Sequence, residues 1–191
     1  DVIVVDGMQG GTGATQECFI EHVGIPTLPA VRMAAEALKE LGMHREGVQL
    51  IVSGGIRSGA DVAKAIALGA DAVSIGTAAL IALGDNNPDL EEEYNKLGTT
   101  AGFYDEWQAG DDPAVITTQD EKLAARLDPK KGGEKLANYL KVLTLEAQTL
   151  ARACGKSHIR NLEPEDLNAL TLEASAMAKV PLAGTDWIPG K

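Results

Sequence analysis

The sequence has little cysteine, histidine or positive charge, and each shortage removes a class of chemistry. Its two cysteines, Cys18 and Cys154, lie far apart and form no C-x-x-C pair. By themselves they hold neither an iron–sulfur cluster nor a structural zinc. Two isolated thiols are the pattern of a reducing, cytoplasmic setting. His22, His44 and His158 are scattered, and no metal site is expected. Against 28 Asp and Glu stand only 17 Lys and Arg, a net charge of −11, which repels nucleic acid and anionic membranes alike. The longest apolar run, Ala72 to Leu83, is broken by Ser74, Gly76 and Thr77 and falls short of a membrane span. No charged-then-apolar leader opens the sequence, so no secretory signal is expected.

What the chain has in quantity is apolar residue, 45% of its 191 positions, together with 21 glycines. That suffices for one domain with a sizeable core. The organising stretch is Val48 to Leu83. Val48, Leu50, Ile51 and Val52 form a short β-branched run that reads as a strand buried on both faces, ended by Ser53, Gly54 and Gly55. Ser58 caps a helix whose Val62, Ala63, Ile66 and Ala67 repeat at helical spacing, and Gly69 stops it. A further strand, Ala72 to Ile75, ends in Gly76 and Thr77 before a second helical stretch. Two parallel strands that each deliver a glycine before a helix place backbone N–H groups and helix dipoles together, which is a phosphate cradle. The loops after the last two strands of a (β/α)8 barrel form such a site.

Upstream, Val2 to Val5 reads as another buried strand, followed by the glycine-rich loop Asp6 to Ala14. Gly7, Gly10, Gly11 and Gly13 let that loop approach a flat ligand closely. It matches neither the G-x-G-x-x-G nor the P-loop pattern. Asp6, Gln9 and Thr12 are the candidate catalytic residues, because they leave a strand's carboxyl end. A short helix is expected over Glu17 to Val23 and an amphipathic one over Ala30 to Leu41. Three strands alternating with helices predict parallel pairing, but three cannot close a barrel. The chain therefore reads as a piece of a larger domain, with a doubly wound open sheet as the alternative.

After Gly84 the sequence turns acidic and loop-rich. Tyr94, Phe103, Tyr104 and Trp107 are expected to anchor this excursion on a core; stacking on a flavin ring is the sharper alternative. Short helices are expected over Glu91 to Leu97 and Glu121 to Leu127. A strong amphipathic helix follows over Gly133 to Ala153, with a last one over Leu167 to Ala178 and an extended tail. The expected organisation is residues 1–84 as three βα units, 85–132 as an acidic insertion, and 133–191 as a helical extension.

Three stretches now carry a resemblance. Asp6-Gly7-Met8-Gln9-Gly10-Gly11-Thr12-Gly13-Ala14, Ile20-Glu21-His22-Val23-Gly24 and Ser53-Gly54-Gly55-Ile56-Arg57-Ser58-Gly59 look like the flavin domain of glutamate synthase large subunits. The match continues through Gly69-Ala70-Asp71-Ala72-Val73-Ser74-Ile75-Gly76-Thr77-Ala78. The later Asn161 to Leu167 and Pro181 to Thr185 stretches most resemble a stand-alone type within that family, the N-methylglutamate synthase (methylamine–glutamate N-methyltransferase) third subunit and its glutamate-synthase-like relatives.

The resemblance implies an α/β fold: strands six to eight of an FMN-binding TIM barrel, followed by a helical C-terminal extension. It implies FMN held by Ser53, Gly54, Gly55, Arg57, Gly76 and Thr77, with Gly10, Gly11 and Gly13 near the ring. The implied reaction is an oxidoreductase step at the amino nitrogen of glutamate, with 2-oxoglutarate, ammonia or methylamine as co-substrates, in an oligomer with amidotransferase-like companion subunits. One departure concerns the 3Fe–4S cluster of glutamate synthases. Asp112-Pro113-Ala114-Val115-Ile116-Thr117-Thr118-Gln119 stands where its last cysteine motif would be, so no cluster is expected from this chain. The alternatives are a non-catalytic barrel subunit of an amidotransferase complex, or another FMN- or phosphate-binding barrel oxidoreductase.

Overall fold

A computed structural model describes residues 1–7, 17–45, 47–103, 106 and 109–190. Gln9, Gly10, Gly11, Thr12 and Gly13 lie outside the described residues, as do Tyr104 and Trp107. The elements are β1 (Val2–Asp6), α1 (Glu17–His22), α2 (Thr27–Glu40), β2 (Gln49–Ser53), α3 (Gly59–Ala67), β3 (Ala72–Ser74) and α4 (Thr77–Leu83). They continue as α5 (Glu91–Lys96), α6 (Glu121–Ala124), α7 (Pro129–Ala153) and α8 (Leu172–Ala178). The strands form one parallel sheet in the order β1-β2-β3, with Ser53 in register with both Asp6 and Ser74. Among the described residues no helix is long and apolar enough to cross a membrane.

The chain divides into two compact units. One contains the sheet and residues 142–190; the other contains the stretch from Gly76 to Lys141. In the first, β2 is the central strand, and its Leu50 and Val52 are fully buried against Val31, Ala35 and Leu38 of α2 and Val62, Ala63 and Ile66 of α3. The α3 residues expected from helical spacing, Val62, Ala63, Ile66 and Ala67, all pack, and Ala65 joins them. Ala147 and Ala151 of α7 and Val180 join the same core.

Two strand expectations need correction. Ile51 is only half-buried, so β2 is covered fully on one face. β1 is largely exposed, with Val2 at 52% and Val4 at 60%, although its composition reads as a buried strand. Among the described residues it pairs with β2 alone, at the edge of the sheet, and less of the fold covers its side chains than covers those of the central strand.

The turn into β3 is organised by Asp71, whose side chain is 3% exposed. Its Oδ2 accepts the Leu50 N–H at 2.9 Å. Arg160 Nη2 lies 2.8 Å from Oδ1, with Arg45 Nε at 3.7 Å. Burial pushes the Asp71 carboxyl up, but the Leu50 N–H, Arg160 and Arg45 outweigh it and leave it below the ordinary carboxylate value. A depressed folded value means stability that is present at neutral pH and lost as pH falls through the carboxylate range. Asp71→Asn is therefore expected to destabilise the intact protein by about 2 kcal/mol near neutrality. Urea melts should show that gap closing below about pH 4. A gap that stays constant down to pH 3, on the order of one unit below the free carboxylate value, would mean that the charge of Asp71 is not what holds the turn.

The second unit has its own small core of Tyr94 and Ala114, with Leu90, Ala101 and Ile116 against them. Fully buried Asp112 organises it. Its carboxylate accepts the Tyr94 O–H at 3.2 Å and the N–H groups of Ala114 and Ile116 at 3.0 and 3.2 Å. Burial, then the charges of Asp112 and Asp85, push the Tyr94 phenol far up, so it stays a donor. The anchoring role expected of the aromatics holds for Tyr94. It fails for Phe103, which is 81% exposed.

Several helix limits differ from expectation, each for a local reason. α2 starts at Thr27, because Pro29 fits the first turn of a helix. α7 starts at Pro129, ahead of Gly132 and Gly133, because Asp128 Oδ1 accepts from Lys130 N and Lys131 N at 3.1 and 3.0 Å. The last helix starts only at Leu172. Thr171 caps it, and the preceding Ala169 is bridged to Leu182 instead.

Candidate functional site

The candidate site grows out of the carboxyl end of β2. Gly54 and Gly55 follow the strand at φ 108° and 74°, a region that favours glycine. The next residue, Ile56, is buried, and Arg57 is exposed. Thr27, the first residue of α2, donates its hydroxyl to the Gly54 carbonyl at 2.9 Å, and Gly7 N donates to the Ser53 carbonyl at 2.9 Å. A Cβ on Gly7 would stand 2.0 Å from Thr27 Oγ1. One on Gly54 would stand 2.6 Å from the same oxygen and 2.8 Å from the Gly7 carbonyl oxygen. Three segments distant in sequence thus lock together only because two of them lack side chains.

The start of α3 is largely capped from within the chain. Its helix dipole and N–H groups are candidates for an anion, and the chain itself takes several of those N–H groups. Asp61 Oδ2 accepts from the N–H groups of Arg57 and Ser58, both at 3.1 Å. The Ser58 hydroxyl accepts from Asp61 N, which closes a capping box. Gly59 N donates to Glu146 Oε2 of α7 at 2.7 Å. In α3 itself, Gly59 N thus goes to a distant side chain and Asp61 N to the cap. Among the described residues no group accepts from the amides of Gly55 and Ile56.

Asp6 ends β1, exposed and in register with Ser53, so it stands one strand away from the glycine turn. Ser53 is half-buried. Gly76 and Thr77 follow β3 in sequence and belong to the second unit, where Gly76 precedes α4. Sequence reading missed Thr27, Glu146 and Lys64. Lys64 lines a cleft of about 200 Å³ with Thr27, Gly54, Gly55 and Ile56. Thr27 sits in an ordinary helix-start pattern, and nothing local pairs it with a residue 27 positions on. Among the described residues no group of three or more His, Cys, Asp or Glu side chains could hold a metal.

Comparison with known proteins bears on this geometry. Residues 1–87 match the conserved region in glutamate synthase. The chain is 73% identical over 191 residues to a glutamate synthase large subunit-like protein of Rhizobium meliloti, covering all of this chain and 43% of that protein. It is 42% identical over 162 residues to an archaeal glutamate synthase [NADPH] of Methanocaldococcus jannaschii, covering 85% of this chain and 28% of that one. The chain thus spans less than half the length of these relatives. Among solved structures, a flavocytochrome b2 variant with sulfite bound shares the fold with a TM-score of 0.50 at 17% identity, covering 98% of this chain and 38% of that one.

Proposed function

Because the chain carries the conserved region of the glutamate synthase family over residues 1–87, we propose that it forms part of an FMN-dependent oxidoreductase making glutamate from 2-oxoglutarate and ammonia. The observation that carries this reading is the Gly54–Gly55 turn, pinned open by Thr27 and Gly7, with the Gly55 and Ile56 amides unclaimed among the described residues. The residues present fit a phosphate group: two adjacent N–H donors at a glycine turn, followed by the Arg57 cation. When bound, the flavin would supply the reducing equivalents for amination. The chain's own part is to fix the phosphate end on the Gly55 and Ile56 amides and to orient the ring.

Assigning Gly76 and Thr77 to the same cofactor, Gly10, Gly11 and Gly13 to the ring, and Asp6, Gln9 and Thr12 to catalysis rests on sequence resemblance. Strands β1 to β3 are proposed as three consecutive strands of a (β/α)8 barrel. The exposed Val2, Ile3 and Val4 of β1 favour a sheet continued by a further strand. Companion amidotransferase-like subunits belong to the same proposal. The methylamine chemistry considered from sequence gains no support from relatives that are named for glutamate synthase.

The intact protein is expected to purify with flavin, or to take up added FMN, giving visible absorbance that bleaches with dithionite. Protein that stays colourless after incubation with excess FMN would overturn the redox reading and favour a non-catalytic subunit.

A further inference from the structure

The second unit contains a pocket of about 330 Å³ that the flavin proposal does not use. Its lining joins the apolar Leu83, Leu90 and Val115 to the cations Arg126, Lys131 and Lys135. Lys131 and Lys135 are four residues apart on one helical face of α7. Neither forms an ion pair among the described residues. Arg126 is fixed instead, its Nη1 2.8 Å from Glu93 Oε2. Asp128, the one acid in the lining among the described residues, already accepts from Lys130 N and Lys131 N.

Two like charges one turn apart cost stability unless an anion lies near both. The surroundings sharpen the point. Between Gly76 and Lys141 the chain carries thirteen acidic and seven basic side chains, yet three of the seven converge on this pocket. The wall from Pro113 to Ile116 is held in shape by the buried Asp112 carboxylate through Ala114 N and Ile116 N. That hold leaves Val115 at φ 63°, a costly state for a β-branched residue.

We propose that this pocket binds a small multivalent organic anion, with carboxylate or phosphate groups on Lys131 and Lys135 and a short apolar body against Leu83, Leu90 and Val115. The site lies in the other unit from the glycine turn and does not depend on the flavin reading.

Two probes test it on the intact protein by titration calorimetry, citrate for carboxylates and inorganic pyrophosphate for phosphates. Saturable binding of at least one is expected, weakened about tenfold or more in Lys131→Ala/Lys135→Ala, since charge-assisted contacts dominate such sites. Lys122→Ala/Lys141→Ala removes the same charge outside the lining and should bind as the parent does. The probe that binds identifies the anion class. Saturable binding of neither probe overturns the proposal, and so does equal weakening in both double variants. Thermal midpoints confirm folding of these exposed-lysine variants. Flavin content, expected to be unchanged, separates this test from that of the glycine turn.

Discussion

Gly59→Ala is expected to destabilise the intact protein by about 3 kcal/mol or more. The added Cβ would stand 2.3 Å from the Leu143 carbonyl oxygen, 2.6 Å from Ala147 N and 2.6 Å from Glu146 Cβ. Two of these three atoms are helix backbone, which cannot swing aside as a flexible side chain would. Either α3 or the 142–153 part of α7 has to move, and either movement breaks the Gly59 N to Glu146 Oε2 bond. It also uncovers Ala147 and Ala151, which are 1% and 2% exposed. Urea unfolding of Gly59→Ala beside Glu146→Gln separates the two contributions. Glu146→Gln keeps an acceptor oxygen and is expected to cost only about 1 kcal/mol, the difference between a charged and a neutral hydrogen bond. A Gly59→Ala variant within about 0.5 kcal/mol of the parent, the range of an indifferent surface change, would refute the close packing of α7 on α3.

The second large effect concerns the glycine turn. Gly54→Ala is expected to lose the flavin and to cost about 2–4 kcal/mol of stability. Two separate penalties contribute. At φ 108° an L side chain strains the backbone by about 1–3 kcal/mol. The new Cβ, 2.6 Å from Thr27 Oγ1 and 2.8 Å from the Gly7 carbonyl oxygen, adds overpacking of similar size. The turn can relax only by pulling the Gly54 carbonyl from Thr27, which redirects the Gly55 and Ile56 amides. Gly47→Ala is the control, because a Cβ there meets nothing within 4 Å. Flavin content after gel filtration and a urea melt give the readout. A Gly54→Ala protein that retains flavin like the parent, while Gly47→Ala is also silent, would remove this turn from the cofactor site.

Much of this was legible in the sequence, and the reasons are specific. The run Leu50, Ile51 and Val52, the spacing of Val62, Ala63, Ile66 and Ala67, and Ser58 as a cap each express a local rule of period or hydrogen bonding. These elements appear where local chemistry puts them. The helix limits that differ turn on competition at the ends. Asp128 capping outweighs two glycines at the start of α7, and the Ala169–Leu182 bridge keeps residues before Thr171 out of α8.

By itself, the sequence determined three strands with glycine turns at their ends and the helices between them, because each depends on neighbours within a few positions, and its composition set a net charge of −11. Only the tertiary structure decided which amides find partners far away in the chain. Before and at the α3 terminus the Arg57 and Ser58 amides go to Asp61 and the Gly59 amide goes to Glu146, 87 residues on, while Thr27 and Gly7 fix the turn that precedes it. It likewise decided that Asp112 serves as a buried acceptor and that β1 is exposed at a sheet edge. Contacts between residues far apart in the chain leave no local period to read, since they are selected by packing and hydrogen-bond satisfaction of the whole fold.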